Sequence, residues 1–380
     1  MLSPTYLTGV AENVVEIYAR VEADIMADIA RRIVKAGYIT ATARWQIEKA
    51  KIFTDHVGKI DKLLADATGK SEAEIRRLMT EAGVTALEYD DRIYLKAGKK
   101  PTPIKESPLL NGIILQGTDN TLALVGKYTK TTSITSVTAL NNALDRAYLQ
   151  IMSGAFSKDV AIKTAVNDLA RRGITKMAYP SGEKASLESG VRRAVLTGVN
   201  QTAGKLQIAR MDEMKCELVE TSSHPGARPE HAEWQGKVFA LHGSHDGYEN
   251  FYEATGYGTG PGLCGWNCYH SFYPFFKGAS QRIASEDPSK DAGSTNDKDY
   301  ENMQKQRYYE RRIREAKKEQ YTLDEARKAT NDPDLKESLG KDADKAQQKV
   351  RDRQRSMREF LDETGGRRHY DREWTAGYNK

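Results

Sequence analysis

Two of the three cysteines in the chain lie within a seven-residue stretch that also holds a histidine. Cys264, Cys268 and His270 offer two thiols and one imidazole, and His231 lies upstream as a fourth candidate ligand. Thiolates and imidazoles are the ligands with which proteins hold zinc in tetrahedral coordination. The spacing Cys-x3-Cys-x-His is not a common zinc knuckle, however, and there is no second Cys-x2-Cys pair. The sequence therefore predicts either a structural zinc site or two buried cysteines that pack as small apolar side chains beside Trp266, and it favours the packing.

Two kinds of hydrolytic chemistry could use the same region. A cysteine nucleophile would need Cys264 or Cys268 beside an imidazole oriented by a carboxylate, such as Glu230 or Asp246. A metal-dependent nuclease would gather histidines around a divalent cation, and the candidates are His224, His231, His242, His245 and Asp246. No strand-turn-helix nucleophile elbow surrounds the cysteines, and the acidic residues that Mg²⁺ prefers do not cluster with the histidines. Both enzymatic interpretations are disfavoured.

The segment before and after the cysteines has the composition of a stiff loop followed by a packed strand or core. Gly256, Gly258, Gly260 and Gly262 predict tight turns, and Pro261 restricts the same loop. The residues that follow are rich in aromatic side chains: Tyr269, Phe272, Tyr273, Phe275 and Phe276. So many aromatic side chains cannot all face solvent, so they must fill a core or contact another subunit.

The composition indicates a non-secreted protein with more than one domain. The chain has 380 residues, too many for one ordinary core, so two or three domains are expected. Three cysteines do not make a secreted disulfide framework, and the N-terminus lacks the features of a signal peptide. No apolar run is long enough to span a membrane, and we expect folding in a reducing cytoplasm. The net charge of +5 allows weak contact with DNA without demanding it.

The predicted fold is mostly α-helical with a central α+β domain. We expect four consecutive regions: a helical N-terminal domain (1–100), a mixed region of linker, hairpin and helices (101–182), an α+β domain that carries the motif (183–280), and a charged helical arm (281–380). In the last region acidic and basic residues are nearly matched, which favours long solvated helices joined as a hairpin. Its basic residues Arg311, Arg312 and Arg314 alternate with glutamates, which is more typical of a salt-bridged surface than of a phosphate-binding face.

Hydrophobic periodicity and capping residues predict the individual elements. Helices are expected at 10–36, 40–66, 138–153, 158–172, 183–214, 297–320 and 334–364. Another is expected to begin at Ser71-Glu-Ala-Glu74, which fits a capping box, and to end at Gly83. The helix over 183–214 should bury Val191 and Val195 and present Asn200 on its polar side. Alternation predicts strands at 216–221 and 237–241, and residues 112–125 and 129–138 are interpreted as a short hairpin and a Thr-rich linker.

The motif region resembles the phage minor capsid protein 2 family. The resemblance is carried by Cys264-Gly-Trp-Asn-Cys268-Tyr-His270-Ser-Phe-Tyr-Pro-Phe, and it extends to the terminal stretch that begins at Phe360. The upstream segment Arg228-Pro-Glu-His-Ala-Glu-Trp-Gln-Gly236 is similar to an element of the wider head-morphogenesis group typified by protein F of phage Mu. The chain departs from that group in the spacing of the cysteines and in the lack of an arginine between them.

The resemblance implies a virion protein rather than an enzyme. It implies a structural minor component of a tailed-phage head at the portal vertex, which contacts the portal protein and the major capsid or scaffolding protein, and which acts in procapsid assembly, packaging or delivery. DNA is a further candidate partner and no membrane contact is expected. No cofactor is expected apart from the candidate structural zinc, and the alternative function is a zinc- or cysteine-dependent hydrolase carried in the virion. The residues expected to shape the motif are Arg228, His231, Gly236, Gly262, Gly265 and Trp266.

Overall fold

The computed structural model describes residues 1–37, 42–174, 177–178, 184–244 and 247–378. Helices make up 71% of the structure, and a small antiparallel sheet accompanies them, so the predicted fold class is confirmed. Within these ranges, no helix combines the length and the apolar composition that crossing a bilayer requires. The candidates His245 and Asp246 lie outside the described residues.

Long helices dominate the chain. In chain order the helices are α1 (Pro4–Gly9), α2 (Glu12–Ala36), α3 (Thr42–Lys96), α4 (Pro108–Met152), α5 (Lys158–Arg172), α6 (Leu187–Glu213), α7 (Pro229–Ala232), α8 (Phe251–Thr255), α9 (Pro288–Asp291), α10 (Asn296–Ala329) and α11 (Pro333–Thr364). Single 3-10 turns cover Ile104–Glu106 and Asp371–Glu373. The predicted helices at 10–36, 158–172, 297–320 and 334–364 are confirmed as α2, α5, α10 and α11.

The strands form two antiparallel sheets. The strands are β1 (Met177–Ala178), β2 (Lys184–Ala185), β3 (Leu218–Thr221), β4 (Val238–Ala240) and β5 (Phe272–Phe275). β1 pairs with β2, and β3 lies between β4 and β5, with Val219 opposite both Phe239 and Pro274. The strands predicted at 216–221 and 237–241 are confirmed in shorter form. The aromatic block supplies the third strand, β5, which places the residues after the cysteines directly beside β3.

Backbone contacts divide the chain into two compact units, each built from three separate segments. Unit 1 comprises Met1–Val14, Glu72–Val125 and Arg192–Lys305, and unit 2 comprises Val15–Ser71, Gly126–Val191 and Gln306–Lys380. The three-stranded sheet and all the motif residues belong to unit 1. The four consecutive regions expected from the sequence stay a prediction. The two units describe which segments pack together, and they do not test which regions fold as independent domains.

The capping box predicted at Ser71 is wrong, since α3 continues through it without a break. In the helix the Ser71 hydroxyl donates to the carbonyl of Thr68 at 3.0 Å and lies 3.0 Å from the hydroxyl of Tyr18. Glu74 binds Arg77 rather than turning back to a helix N-terminus. The sequence pattern of a cap is therefore satisfied by other contacts, and 42–96 is one helix.

The hairpin at 112–125 and the linker at 129–138 are also wrong, because both stretches belong to α4. Threonine and serine are neutral or poor helix formers when their hydroxyls compete for the backbone. Here the hydroxyls bind carbonyls of the preceding turn of the same helix, as Thr118 does with Ile114 at 2.7 Å and Thr132 with Tyr128 at 2.9 Å. The polar groups are thus satisfied inside the helix, and the residue types no longer oppose it.

In unit 1, α4 and α6 meet through a reciprocal pair of glycines and threonines. Gly117 of α4 faces Thr202 of α6, and Gly198 of α6 faces Thr121 of α4, so the two helices run antiparallel at this point. A Cβ atom at either glycine would lie 2.0 Å from the threonine hydroxyl opposite. The two helices approach this closely because neither glycine carries a side chain.

Unit 2 contains the charged helix α11 and the part of the charged helix α10 that begins at Gln306. The solvated salt-bridged surface predicted for the basic run is present only in part. Arg312 pairs with Glu315 at 3.0 Å along the helix, but Arg314 lies 2.8 Å from a carboxylate oxygen of the buried Glu188. Lys318 binds the same Glu188 at 3.2 Å and Glu22 at 2.8 Å. Contact of this run with DNA stays a prediction. A substitution of Arg314 would not test it cleanly, because it would also remove the ion pair with the buried Glu188.

Replacing Gly117 by alanine is expected to destabilise the protein, because the added Cβ has no room against Thr202. We expect a loss of about 1–3 kcal/mol in the free energy of unfolding, the usual range for overpacking a tight contact. The measurement is urea denaturation followed by circular dichroism.

Gly112→Ala is the matched control, since the same helix leaves open space around Gly112. Alanine there should stabilise the helix by up to about 1 kcal/mol. Equal effects of the two substitutions would mean that the close approach of α4 and α6 does not exist in solution.

Candidate functional site

Three side chains of the predicted metal-binding set lie together in the interior of unit 1. His231, Cys268 and His270 are all buried, and their ligand atoms lie within 4.8 Å of one another. The sulfur of Cys268 is 3.8 Å from Nδ1 of His231 and 3.8 Å from Nδ1 of His270. Elsewhere in the described part of the chain, no other group of three His, Cys, Asp or Glu side chains meets at such distances. Sequence positions 37 residues apart thus form one cluster.

The helix α7 delivers His231 to this cluster. Pro229 begins the helix with a φ angle suited to a first turn, and Arg228 is its N-cap residue. Arg228 donates from its guanidinium to the carbonyl of Trp266 at 3.0 Å and to that of Pro261 at 3.5 Å. Nε2 of His231 lies 2.7 Å from the same Pro261 carbonyl. Two polar side chains of the Arg-Pro-Glu-His segment therefore bind the backbone of the glycine-rich loop.

That loop, residues 256–267 (the glycine loop), folds back on itself so closely that two of its glycines have no room for a side chain. A Cβ atom on Gly262 would lie 2.0 Å from the carbonyl oxygen of Gly256, and one on Gly265 would lie 2.1 Å from that of Gly260. The amide of Trp266 donates to the carbonyl of Gly260 at 2.7 Å and closes the turn. The predicted requirement for glycine is thus explained by close backbone approach at these positions.

The helix α6 holds the segment that follows the loop. Nδ2 of Asn200 donates to the carbonyls of Cys268 at 3.1 Å and His270 at 3.0 Å. Two helical turns further along, Nε2 of Gln207 donates to the carbonyl of Phe272 at 2.5 Å and to the carboxylate of Asp90 at 2.8 Å. The prediction that Asn200 lies on a polar face is wrong, since its side chain is buried against the motif. These two amides fix the path of the chain from Cys268 into β5.

Cys264 is close in sequence but not part of the cluster. It adopts a left-handed backbone conformation with φ +59. Its buried side chain lies beside Gly204 and joins an apolar cluster that includes Phe251, Leu263 and Phe272. The packing predicted for a buried cysteine describes Cys264, although the neighbouring Trp266 is 59% exposed and contributes nothing to that core.

Burial sets the protonation of the cluster. It raises the pKa of the Cys268 thiol to about 11 and lowers the pKa of the His231 and His270 imidazoles. It also raises the pKa of the Cys264 thiol well above its ordinary value. A nucleophilic cysteine has to be deprotonated and within reach of a substrate. Neither thiol has these properties in this environment.

The remaining predicted site residues are not part of the cluster of His231, Cys268 and His270. Gly236 has a left-handed backbone, and a Cβ atom there would lie 2.2 Å from the carbonyl oxygen of Ser285. The ring of His224 lies 4.3 Å from that of His270, between centroids. His242 is exposed and binds Asp212 at 2.7 Å, away from the cluster. Of the histidines predicted for a nuclease, His242 therefore lies outside the cluster, whereas His224 and His231 both lie beside His270, with ring centroids 4.3 and 5.4 Å from its own.

Sequence reasoning missed three amide side chains. Asn200 and Gln207 bind the segment after the glycine loop, and Oε1 of Gln235 lies 3.1 Å from Nε2 of His270. Asn200 and Gln207 are seven residues apart and interrupt the apolar face of α6. This spacing could have indicated from the sequence that both side chains face the same neighbouring segment. Gln235 follows His231 by four residues inside the recognised element, but nothing in the sequence shows which partner it binds.

The side chains of the motif make their polar contacts within the chain itself. The motif residues bind the chain's own backbone, and the glycine loop is closed by its own hydrogen bonds. The thiols of Cys264 and Cys268 are buried beneath these contacts. The polar side chains of the motif thus hold the backbone of the glycine loop in place.

Comparison with known proteins identifies the family to which the chain belongs. Residues 2–362 match the family described as Phage minor capsid protein 2, so the chain belongs to that family and to the proteins of phage virions. A relative described as a structural protein of Lactococcus phage LL-H is 28% identical over 241 residues, which cover 61% of this chain and 60% of the relative. The match spans less than two thirds of that relative's length. No solved structure matches the chain.

Replacing Asn200 by aspartate is expected to destabilise unit 1. A carboxylate cannot donate to the carbonyls of Cys268 and His270, and the substitution would also bury a charge. We expect a loss of roughly 2–4 kcal/mol in the free energy of unfolding, which thermal denaturation would show as a lowered Tm.

Gln201→Glu is the matched control, because it makes the same amide-to-acid change at the next, half-buried residue of α6. It should cost less than about 1 kcal/mol. An Asn200→Asp protein as stable as the control would show that Asn200 does not hold this segment.

Proposed function

We propose that the chain is a minor structural component of a tailed-phage head that associates with the portal vertex. In this role it contacts the portal protein and the major capsid or scaffolding protein, and it acts in procapsid assembly, in packaging of the genome or in its delivery. It is found in the host cytoplasm during assembly and then inside the virion. The match to the minor capsid family over residues 2–362 is the observation that carries this proposal.

The geometry of the motif supports a structural role. Arg228 and His231 bind carbonyls of the glycine loop, and Asn200 binds carbonyls of the segment that follows it. A catalytic group would instead have to face a cavity that a substrate can enter. The most polar part of the motif is thus engaged in holding two distant segments of the chain in one fixed arrangement, which a particle-building subunit needs.

The alternative function, a zinc- or cysteine-dependent hydrolase carried in the virion, has less support. Cys268 is 2% exposed and Cys264 is 1% exposed, and burial raises the pKa of both thiols. The metal-dependent variant would need the cluster of His231, Cys268 and His270 to open to substrate. Hydrolysis of peptide or nucleic acid by the purified protein, lost in a folded Cys268→Ser variant, would favour this alternative.

Procapsids provide the test of the portal association. The portal, major capsid and scaffolding proteins of the encoding phage are produced together with this chain, and the assembled shells are purified and cross-linked. We expect the chain in few copies per shell, with cross-links to the portal protein, because a vertex component is limited by the single portal ring.

Shells assembled without the portal protein are the matched control, and they should lack the chain. Incorporation into portal-free shells, or absence from complete ones, would overturn the portal association. Incorporation at the copy number of the major capsid protein would overturn the minor role.

A further inference from the structure

We propose that His231, Cys268 and His270 are three ligands of a zinc ion that joins α7 to the segment after the glycine loop. This inference goes beyond the proposed role in the phage head and does not depend on it. It rests on the direction of hydrogen bonds around the two imidazoles, on the distances between the ligand atoms and on the chemistry of the set.

The partner of each imidazole determines which ring nitrogen carries hydrogen. Nε2 of His231 lies 2.7 Å from the carbonyl oxygen of Pro261, which can only accept, so Nε2 must donate. Nε2 of His270 lies 3.1 Å from Oε1 of Gln235. The same Oε1 atom accepts from the backbone N–H of His224 at 3.1 Å, which identifies it as the oxygen of the amide. A neutral imidazole that donates from Nε2 has its lone pair on Nδ1.

Both Nδ1 lone pairs point toward one sulfur atom. Each Nδ1 lies 3.8 Å from Sγ of Cys268. A thiol has a single proton and can donate to one imidazole only, which leaves the other lone pair buried without a donor. A cation between the three atoms would engage both imidazoles and the sulfur at once. The arrangement is thus better matched to a metal ion than to a proton.

The two sulfur-to-nitrogen distances agree with tetrahedral zinc. Bonds of about 2.3 Å to sulfur and 2.0–2.1 Å to nitrogen at a tetrahedral angle place the sulfur and nitrogen ligands about 3.6 Å apart. The two observed separations of 3.8 Å are close to this value. One tetrahedral position remains for a water molecule or another ligand.

The surroundings of the cluster resemble those that stabilise zinc ligands. The backbone N–H of His270 donates to Sγ of Cys268 at 3.4 Å, which favours a thiolate. The carbonyl of Pro261 and the amide oxygen of Gln235 accept from the two imidazoles, which fixes the rings and spreads positive charge. The cluster contains no carboxylate. A set of one thiolate and two imidazoles favours zinc over magnesium or calcium.

The ligand set differs from the candidates named from the sequence in a way that can be tested. Cys264 was one of those four candidates, yet it is not in the cluster. Both cysteines are buried in the same apolar core, so Cys264→Ser is a matched control for Cys268→Ser. The two variants remove one thiol each and differ in whether that thiol faces the imidazoles.

Metal analysis of the purified full-length protein is the experiment. We expect about one zinc ion per chain in the unaltered protein and in Cys264→Ser, and roughly a tenfold lower content in Cys268→Ser and His231→Ala. A chelator should lower the Tm of the unaltered protein and of Cys264→Ser, because binding to the folded state alone stabilises it.

Cobalt keeps the proposal testable if Cys268→Ser fails to fold. The unaltered protein loaded with Co²⁺ should show the visible bands of tetrahedral cobalt and a sulfur-to-cobalt charge-transfer band, and Cys264→Ser should show the same spectrum. Absence of metal from the folded protein after refolding with Zn²⁺ would overturn the proposal. So would zinc that persists in a folded Cys268→Ser variant, or zinc lost from a folded Cys264→Ser variant.

Discussion

The arrangement of the motif depends on one buried amide. Asn200 donates to the carbonyls of Cys268 and His270, and so it fixes both ends of a three-residue segment at once. With the backbone held at these two points, the thiol of Cys268 and the imidazole of His270 have few directions left to take. Through this side chain and that of Gln207, α6 fixes the path of the backbone between the glycine loop and β5.

A second constraint comes from the opposite side of the loop. The guanidinium of Arg228 and the imidazole of His231 both reach carbonyls of the glycine loop. The hydrogen bonds of Arg228 lie at the surface and that of His231 is partly buried, and bonds of this kind make a modest net contribution to stability. Polar residues of the kinds that catalytic sites use thus bind the chain's own backbone here, which is consistent with membership of a family of minor capsid proteins.

The elements that could be predicted are those whose signal is local. α2 and α5 have apolar stripes and clear ends, and Ser157 caps α5 by accepting from the amide of Val160. Only the end of α4 was predicted as a helix, at 138–153. Its earlier part could not be predicted, because the glycines and threonines there have low helix propensity and the reason for Gly117 lies in α6. Gly117 is required by Thr202, a residue 85 positions away. Propensity describes a residue alone and is overridden by such contacts.

The sequence by itself determined which chemical groups were available: two cysteines and two histidines of a zinc-binding type, in a segment rich in glycine, within a chain of long helices. Only the tertiary structure decided which of them meet. Cys264 and Cys268 lie in the same motif and border the same apolar core, but Cys264 has a left-handed backbone and its sulfur is not among the clustered ligand atoms. Cys268 instead faces His231, which packing brings from 37 residues away. Side-chain direction depends on backbone conformation and distant partners, and neither is encoded in local spacing.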